Sequence, residues 1–374
     1  MLLFLVFYFC IYGGAHLYLL SRTVHTFHLS PPFPALAALF ALVMVLAPIL
    51  VRTLERFGCE TAAKVTGYLG YLWMGFFFLF LSASMVMDLL RGVLALAGRL
   101  WGQPVGISGP VVIAVSAGVA LASTVYGYFE ARSLKIERVT LASGKIPAGE
   151  KIRIVQVSDV HLGLMVGRER LERILAEIER LQPDLVVSTG DLVDGQKDGL
   201  RFLDHELARL QPPLGKYAVL GNHEAFAGAA PSSSFTEHGG FRLLREESVE
   251  AGDCLTIAGV DDPALSRGGK GATDHLLLRG HAPQRYTILL KHRPAVEREA
   301  VGLFDLQLSG HVHKGQIFPF NLLTHLAYPA KMGLSEVGGG SFLYVSRGTG
   351  TWGPPVRVLA PPEITVIDLV SSSL

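Results

Sequence analysis

Four apolar stretches, near Leu2–Leu20, Pro34–Val51, Val65–Leu90 and Pro110–Phe129, fill the first third of the chain and limit what it can fold into. Each is long enough to cross a bilayer, whose hydrocarbon core of about 30 Å takes roughly 20 apolar residues in a helix. The expectation is therefore a four-helix transmembrane module over residues 1–130. Composition agrees: 17% of the 374 residues are charged and 50% hydrophobic, against about 25% charged in an ordinary globular protein. The charge deficit lies before Arg132. Tyr8, Tyr18, Tyr68, Trp101 and Tyr128 stand near span ends, where amphipathic rings prefer the headgroup layer. The first stretch lacks a basic leading segment and a small-residue cleavage site before Arg22, so it reads as retained.

Four spans put both ends of the module on one side, with Arg52, Arg56 and Lys64 in its middle loop and Arg132, Lys135 and Arg138 after the last span. The opposite loops hold Arg22, Arg91 and Arg99. Basic loops stay inside, so the chain reads as a multi-pass integral membrane protein with its remaining residues in the cytoplasm. A formal net charge of +1 lacks the clustered basic excess of a nucleic-acid binder, and no nucleic-acid partner is expected. Cys10, Cys59 and Cys254 form no CxxC pair, which argues against a disulfide framework or a zinc knuckle.

After a linker at 131–150 the pattern changes to short apolar runs alternating with amphipathic helical segments. Ile152–Val157, Leu185–Thr189 and Tyr217–Leu220 read as strands. Between them, Arg168–Leu181 carries Leu171, Ile174, Leu175, Ile178 and Leu181 at helical spacing, and a second helix falls around Arg201–Leu210. This βαβαβ order predicts an α/β unit over 151–370 with parallel strands. Leu255–Val260, Tyr286–Leu290 and Phe342–Val345 suit a second sheet.

The chemistry stands just past the strand ends, where open α/β sheets collect ligands. The runs lead into Ser158-Asp159-Val160-His161, then Gly190-Asp191-Leu192-Val193-Asp194, then Gly221-Asn222-His223-Glu224, then His292, then Gly310-His311-Val312-His313. Carboxylate, amide and imidazole donors in this mixture suit Mn, Fe, Zn or similar divalent ions. Two such ions can activate a water between them and clamp phosphoryl oxygens. Asp159 and His161, two apart in an extended segment, would point the same way, as would His311 and His313. Gly190, Gly221 and Gly310 would let the backbone turn and approach the ions. His205 and His238 fit no block and read as surface histidines. Ala227–Ser234 reads as a small-residue loop near the site, and the glycines at 338–340 as a turn.

The ordered set DVH, GDLVD, GNHE, H and GHVH resembles the signature of the calcineurin-like metallophosphoesterase superfamily. Gly259–Asp262 and the tail Tyr344–Thr365 narrow the likeness to its bacterial membrane-associated phosphodiesterase branch. The resemblance implies a four-layer α/β/β/α sandwich and two divalent metal ions. Asp159, His161 and His313 would hold the first ion, Asn222, His292 and His311 the second, and Asp191 would bridge them. His223 would protonate the leaving oxygen or stabilise its charge, with Glu224 orienting its imidazole. Many members carry Asp where Glu224 stands. Asp194 reads either as a second layer behind a ligand or as a turn cap. The expected reaction is hydrolysis of a phosphate ester by attack of a metal-bridging hydroxide, most simply a phosphodiester that is itself lipid-linked. Phosphomonoesterase, nucleotide or lipid-linked pyrophosphatase, and a non-catalytic membrane sensor or scaffold remain the alternatives.

Overall fold

The structure, a computed structural model, describes residues 6–103, 105–194, 200, 202–265 and 274–372. Contacts divide the chain into two compact units, Met1–Phe129 with Gly353–Val358, and Glu130–Trp352 with Leu359–Leu374.

In the first unit a π-helical turn at Phe9–Gly13 runs into the helix Gly14–Phe27, followed by helices Phe33–Arg56, Glu60–Leu100 and Gly109–Glu130. The last three are long and apolar enough to cross a membrane. Leu2–Leu5 of the first expected span lie outside the described residues. The third expected span grows to a helix of 41 residues, about 60 Å long at 1.5 Å per residue. Arg91 and Arg99 do not end it, because arginine is a good helix former and a helix can continue past an apolar layer. Close packing occurs at Gly70, where an added Cβ would fall 2.4 Å from the Ala47 Cβ; small residues let apolar helices approach in this way. Polar contacts among the described residues include the buried His16, whose Nε2 accepts from Trp73 Nε1 at 2.9 Å, and a half-buried, two-pronged Arg22–Asp88 ion pair.

The second unit holds two six-stranded mixed sheets. The strands are β1 (Lys135–Ser143), β2 (Lys151–Val157), β3 (Leu185–Ser188), β4 (Lys216–Ala218), β5 (Arg242–Leu243), β6 (Glu247–Ala251), β7 (Leu255–Val260), β8 (Tyr286–Lys291), β9 (Leu306–Ser309), β10 (Gly333–Gly338), β11 (Ser341–Val345) and β12 (Glu363–Ser371). One sheet has the order β1-β12-β2-β3-β4-β5 and the other β10-β11-β9-β8-β7-β6. In the first, β2, β3, β4 and β5 are parallel and β12 runs antiparallel to β2. In the second, β7, β8, β9 and β11 are parallel, with β6 and β10 antiparallel at the edges.

Ile154, Leu185 and Ile367 of the first sheet share one core with Ile257, Ile288 and Leu306 of the second, so the sheets pack face to face. Helix Arg168–Leu181 buries the five apolar positions read from its spacing against the other face of the first sheet. Leu278, Ala300 and Phe304 pack with Ala258 and Leu289 on the outer face of the second.

Three expectations need correcting. The segment expected as a linker at 131–150 contains β1, paired along its whole length with β12. The segment Ala227–Ser234 is not a loop but enters the helix Ala229–His238; Pro231 falls in its first turn, where the missing N–H costs nothing. The helix around Arg201–Leu210 is the shorter Leu203–Ala208, and Arg201 lies outside the described residues.

Candidate metal centre

The five blocks meet at the carboxyl ends of β2, β3, β4, β8 and β9, and their loops hold one another by backbone hydrogen bonds. Asp159 N–H donates to Gly190 O, His161 N–H to Asp191 O and Gly310 N–H to His292 O, at 2.9–3.0 Å. Asp159, His161, Asp191, His292 and His313 are buried, Asn222 is 9% exposed and His311 is partly buried.

Asp159, His161 and His313 bring one donor atom each within 4.8 Å of one another, and so do Asp191, His292 and His311. In the first group His161 Nε2 lies 3.1 Å from His313 Nε2, which lies 3.3 Å from Asp159 Oδ1. In the second, His292 Nε2 has Asp191 Oδ2, Asn222 Oδ1 and His311 Nδ1 each at 3.1 Å. Asp191 Oδ2 also comes within 3.9 Å of His161 Nε2, so this carboxylate reaches both groups. A third grouping, His161, Asp194 and His223, shares His161 with the first. Its Nδ1 edge is used there, and the 2.7 Å contact between His223 Nδ1 and Asp194 Oδ1 is a hydrogen bond, so it backs the site instead of forming another one.

These donor atoms fit metal ions. His292 Nδ1 donates to Thr189 O at 2.8 Å, because a carbonyl can only accept. In the neutral ring that leaves Nε2 as a bare lone pair facing three further groups, the arrangement of a ligand whose tautomer is fixed from behind. Two ligands at about 2.1 Å from one ion, 90–109° apart, lie about 3.0–3.4 Å from each other. The separations of 3.1 and 3.3 Å fall in that range.

The backbone is bent to achieve this. Asp159, His161, Asp191, His311 and His313 have φ between 46° and 73°, a left-handed conformation that costs about 1 kcal/mol or more for a residue with a Cβ. The extended geometry expected for Asp159–His161 and His311–His313 is thus replaced by successive left-handed turns. At Gly310 an added Cβ would fall 2.0 Å from Ser158 Oγ and 2.2 Å from Asp159 Oδ2, and at Gly221 it would fall 2.2 Å from Asp191 Oδ1. Close approach to the ligand carboxylates therefore requires glycine there.

Burial and mutual charge shift the ligand side chains strongly. Burial would raise the Asp191 carboxyl, but the His292, His223 and His161 rings outweigh it and hold it well below its usual range. Burial would lower His292, and Asp191 outweighs that to push it up to about 10. Burial and the charge of His292 push the adjacent His311 down to about 3.

The structure gives Glu224 a different task from the one expected. Its carboxylate accepts from the N–H groups of Gly221, Asp191 and Val193 at 2.7, 3.0 and 3.1 Å, clamping two ligand loops together. Burial and facing Asp191 push it up to about 7, against the backbone donors that favour its ionised form. The imidazole of His223 is held instead by Asp194, which burial would raise but which the nearby His161 ring, 3.4 Å away, and the hydrogen bond from His223 hold down at about 2. Burial would lower His223, and the hydrogen bond that its Nδ1–H donates to Asp194, with the charge of Asp191, outweighs it and raises the ring. Sequence reasoning offered Asp194 only as a second layer or a cap; its place in the GDLVD block was the signal. Two residues were not singled out, Phe226 and Trp352, whose rings meet His223 edge to face at 5.8 and 5.7 Å and are 67% and 51% exposed. His205 and His238 are exposed and stand apart from the centre.

An α/β unit with clusters of buried carboxylate and imidazole donors at its strand ends is the setting of a metal-dependent hydrolase. A profile of the calcineurin-like phosphoesterase family matches residues 152–315. A metallophosphoesterase of Aquifex aeolicus, uncharacterized by its description, is 41% identical over 254 residues, covering 67% of this chain and 97% of its own length. This chain belongs to the metallophosphoesterase family, and it is a metal-dependent phosphoester hydrolase. A Campylobacter jejuni relative, also described as an uncharacterized metallophosphoesterase, is 28% identical over 98% of this chain and 99% of its own, so that likeness runs through the apolar third as well. A Danio rerio protein described as a transmembrane protein with metallophosphoesterase domain is 34% identical over 66% of this chain, and the chain spans 60% of that relative's length. Among solved structures, a 5'-nucleotidase precursor from Thermus thermophilus matches 59% of this chain and 54% of its own, with 16% identity and a TM-score of 0.34.

Proposed function

We propose that this chain is a membrane-anchored dinuclear phosphodiesterase acting on a lipid-linked phosphate ester, with its catalytic unit in the cytoplasm. The observation that carries the dinuclear reading is Asp191, whose Oδ2 lies 3.1 Å from a ligand nitrogen of one donor group and 3.9 Å from one of the other. Asp159, His161 and His313 would hold one ion, Asn222, His292 and His311 the second, with Asp191 between. Bound there, two divalent cations would supply Lewis acidity and a water acidified to near-neutral pKa. His223 has Nδ1 committed to Asp194, which leaves Nε2 to donate a proton to the leaving oxygen. Glu224 keeps the Asp191 and Asn222 loops in register. Phe226 and Trp352 offer an apolar rim beside His223, which suits a leaving group with an apolar portion.

Three helices of membrane-crossing length and relatives named as transmembrane proteins support the anchor. Tethering raises the effective concentration of a substrate confined to the same bilayer. The test is to strip the full-length protein of metal in detergent and follow bis-nitrophenyl and mono-nitrophenyl phosphate with manganese or zinc restored. Turnover of the diester that returns with metal and exceeds that of the monoester is expected. Preference for the monoester would replace the proposal with a phosphomonoesterase.

A further inference from the structure

The chain between the metal loop and β10 carries a run of exposed apolar side chains. Phe318, Leu322, Leu323 and Leu326 are 45%, 60%, 58% and 81% exposed, and the helix Asn321–Ala327 buries none of its residues. Elsewhere on the catalytic unit exposed large apolar residues occur singly or beside His223. Clustering on one short element marks a surface meant to be covered.

Both roots of the segment are tied to the metal centre. The Gln316 side chain donates to Trp352 O at 2.8 Å and accepts from Trp352 N–H at 2.9 Å, which fixes the ring beside His223. At the other end, Tyr328 meets His311 edge to face at 5.2 Å and accepts from Arg293 Nη1 at 3.2 Å. Tyr328 and Met332 also pack on Val312 and Val345, so the segment stands on a firm base with its leucines outward.

Charge and covalent continuity say what covers it. The sequence holds no Asp or Glu between Asp305 and Glu336, while Lys314, His325 and Lys331 fall inside that interval. Apolar and aromatic side chains with basic neighbours and no acids are the composition of an element that lies in the interface of an anionic bilayer. The helix Gly109–Glu130, of membrane-crossing length, ends shortly before β1 starts at Lys135. A connection this short ties the start of β1 to the end of an element that can reach the bilayer surface.

We propose that residues 318–327 insert into the interfacial layer of an anionic bilayer and form the shoulder over which a lipid-borne phosphate ester reaches the metal centre. The choice of substrate rests on the lipid-linked reading above; the insertion stands on its own observations.

The experiment uses the full chain with Cys10→Ser, Cys59→Ser and Cys254→Ser, labelled with a nitrobenzoxadiazole probe at Leu326→Cys or, as a control, at Glu169→Cys, where the side chain is 82% exposed. It is reconstituted in vesicles of phosphatidylcholine with a minor fraction of phosphatidylglycerol. Insertion predicts that acyl-chain nitroxide lipids quench the probe at 326 and iodide does not, with the reverse at 169. Quenching of both probes by iodide overturns the proposal, and so does a probe at 326 shielded from both quenchers, which would mean a second copy covers the segment. Leu322→Gln, Leu323→Gln and Leu326→Gln together should lower turnover of a nitrophenyl phosphatidyl ester in the vesicles by about tenfold or more, leaving bis-nitrophenyl phosphate unaffected. If the unaltered protein cleaves the soluble diester and not the lipid one, the substrate reading fails while the quenching result still decides insertion.

Discussion

Two carboxylates behind the ligands divide the work of the site, and each can be tested singly. Asp194 raises the His223 ring by hydrogen bond and charge against burial. A ring that donates a proton is active below its pKa, so activity falls as pH rises through the raised value. Asp194→Asn removes the raising partner and leaves burial, so the pKa drops and the alkaline limb of kcat/KM for an alkyl-leaving phosphodiester should move to lower pH. An alkaline limb that stays in place would remove Asp194 from this role. Glu224 serves the backbone: Glu224→Ala would leave the N–H groups of Gly221, Asp191 and Val193 without their acceptor. At about 1–3 kcal/mol for each buried donor stranded, the loss of stability should reach about 3 kcal/mol or more. Chemical denaturation in detergent measures it, and a loss within 0.5 kcal/mol, roughly that of a surface substitution, would refute the clamp.

At the scale of elements, the site is a set of strand ends whose loops must come closer than side chains normally permit. Gly310→Ala places a methyl 2.0 Å from Ser158 Oγ and 2.2 Å from Asp159 Oδ2, both on residues with no exposed surface to retreat into. Overpacking of this kind costs about 1–3 kcal/mol, and here the atom displaced belongs to a ligand carboxylate. Purified Gly310→Ala should retain its secondary structure by circular dichroism yet lose most of its bound metal by elemental analysis; full metal content would show that the loop can yield. The strand ends were legible in the sequence because buried parallel strands are short continuous runs of Val, Ile and Leu, and each run led directly into its ligand. The turns at Asp159, His161, Asp191, His311 and His313 were not, since nothing in DVH or GHVH marks a left-handed residue until partner loops are in place to hold it. β1 escaped for a related reason. KIERVTLAS lies along an edge with a single buried residue, and what makes it a strand is β12, which lies at the other end of the catalytic unit's sequence. The resemblance implied that Glu224 orients His223, whereas its position in the first turn of helix Asn222–Ala227 turns it back toward the backbone.

At the scale of the whole molecule, the apolar third was legible as helices from length and hydropathy, but the Arg22–Asp88 ion pair was not, because its two residues stand far apart in sequence. Their guanidinium and carboxylate meet in two-pronged contact, with Arg22 15% and Asp88 38% exposed along their side chains. An ionised group in an apolar layer costs about 2.5–3.5 kcal/mol, and taking away one partner of a shielded pair strands the other. Asp88→Ala alone should therefore lower the melting temperature of the full-length protein in detergent. Arg22→Ala in the same chain should recover part of the loss, with a coupling of about 1–3 kcal/mol in the double-mutant cycle. None of the proposed ligands belongs to this unit, so metal-dependent turnover of a soluble diester, expressed per folded molecule, should be the same in all four proteins. Strictly additive losses would mean that the pair contributes nothing to the module. A drop in soluble-diester turnover per folded molecule would mean that the two units do not act independently, and that the helices shape the metal site as well as anchor it.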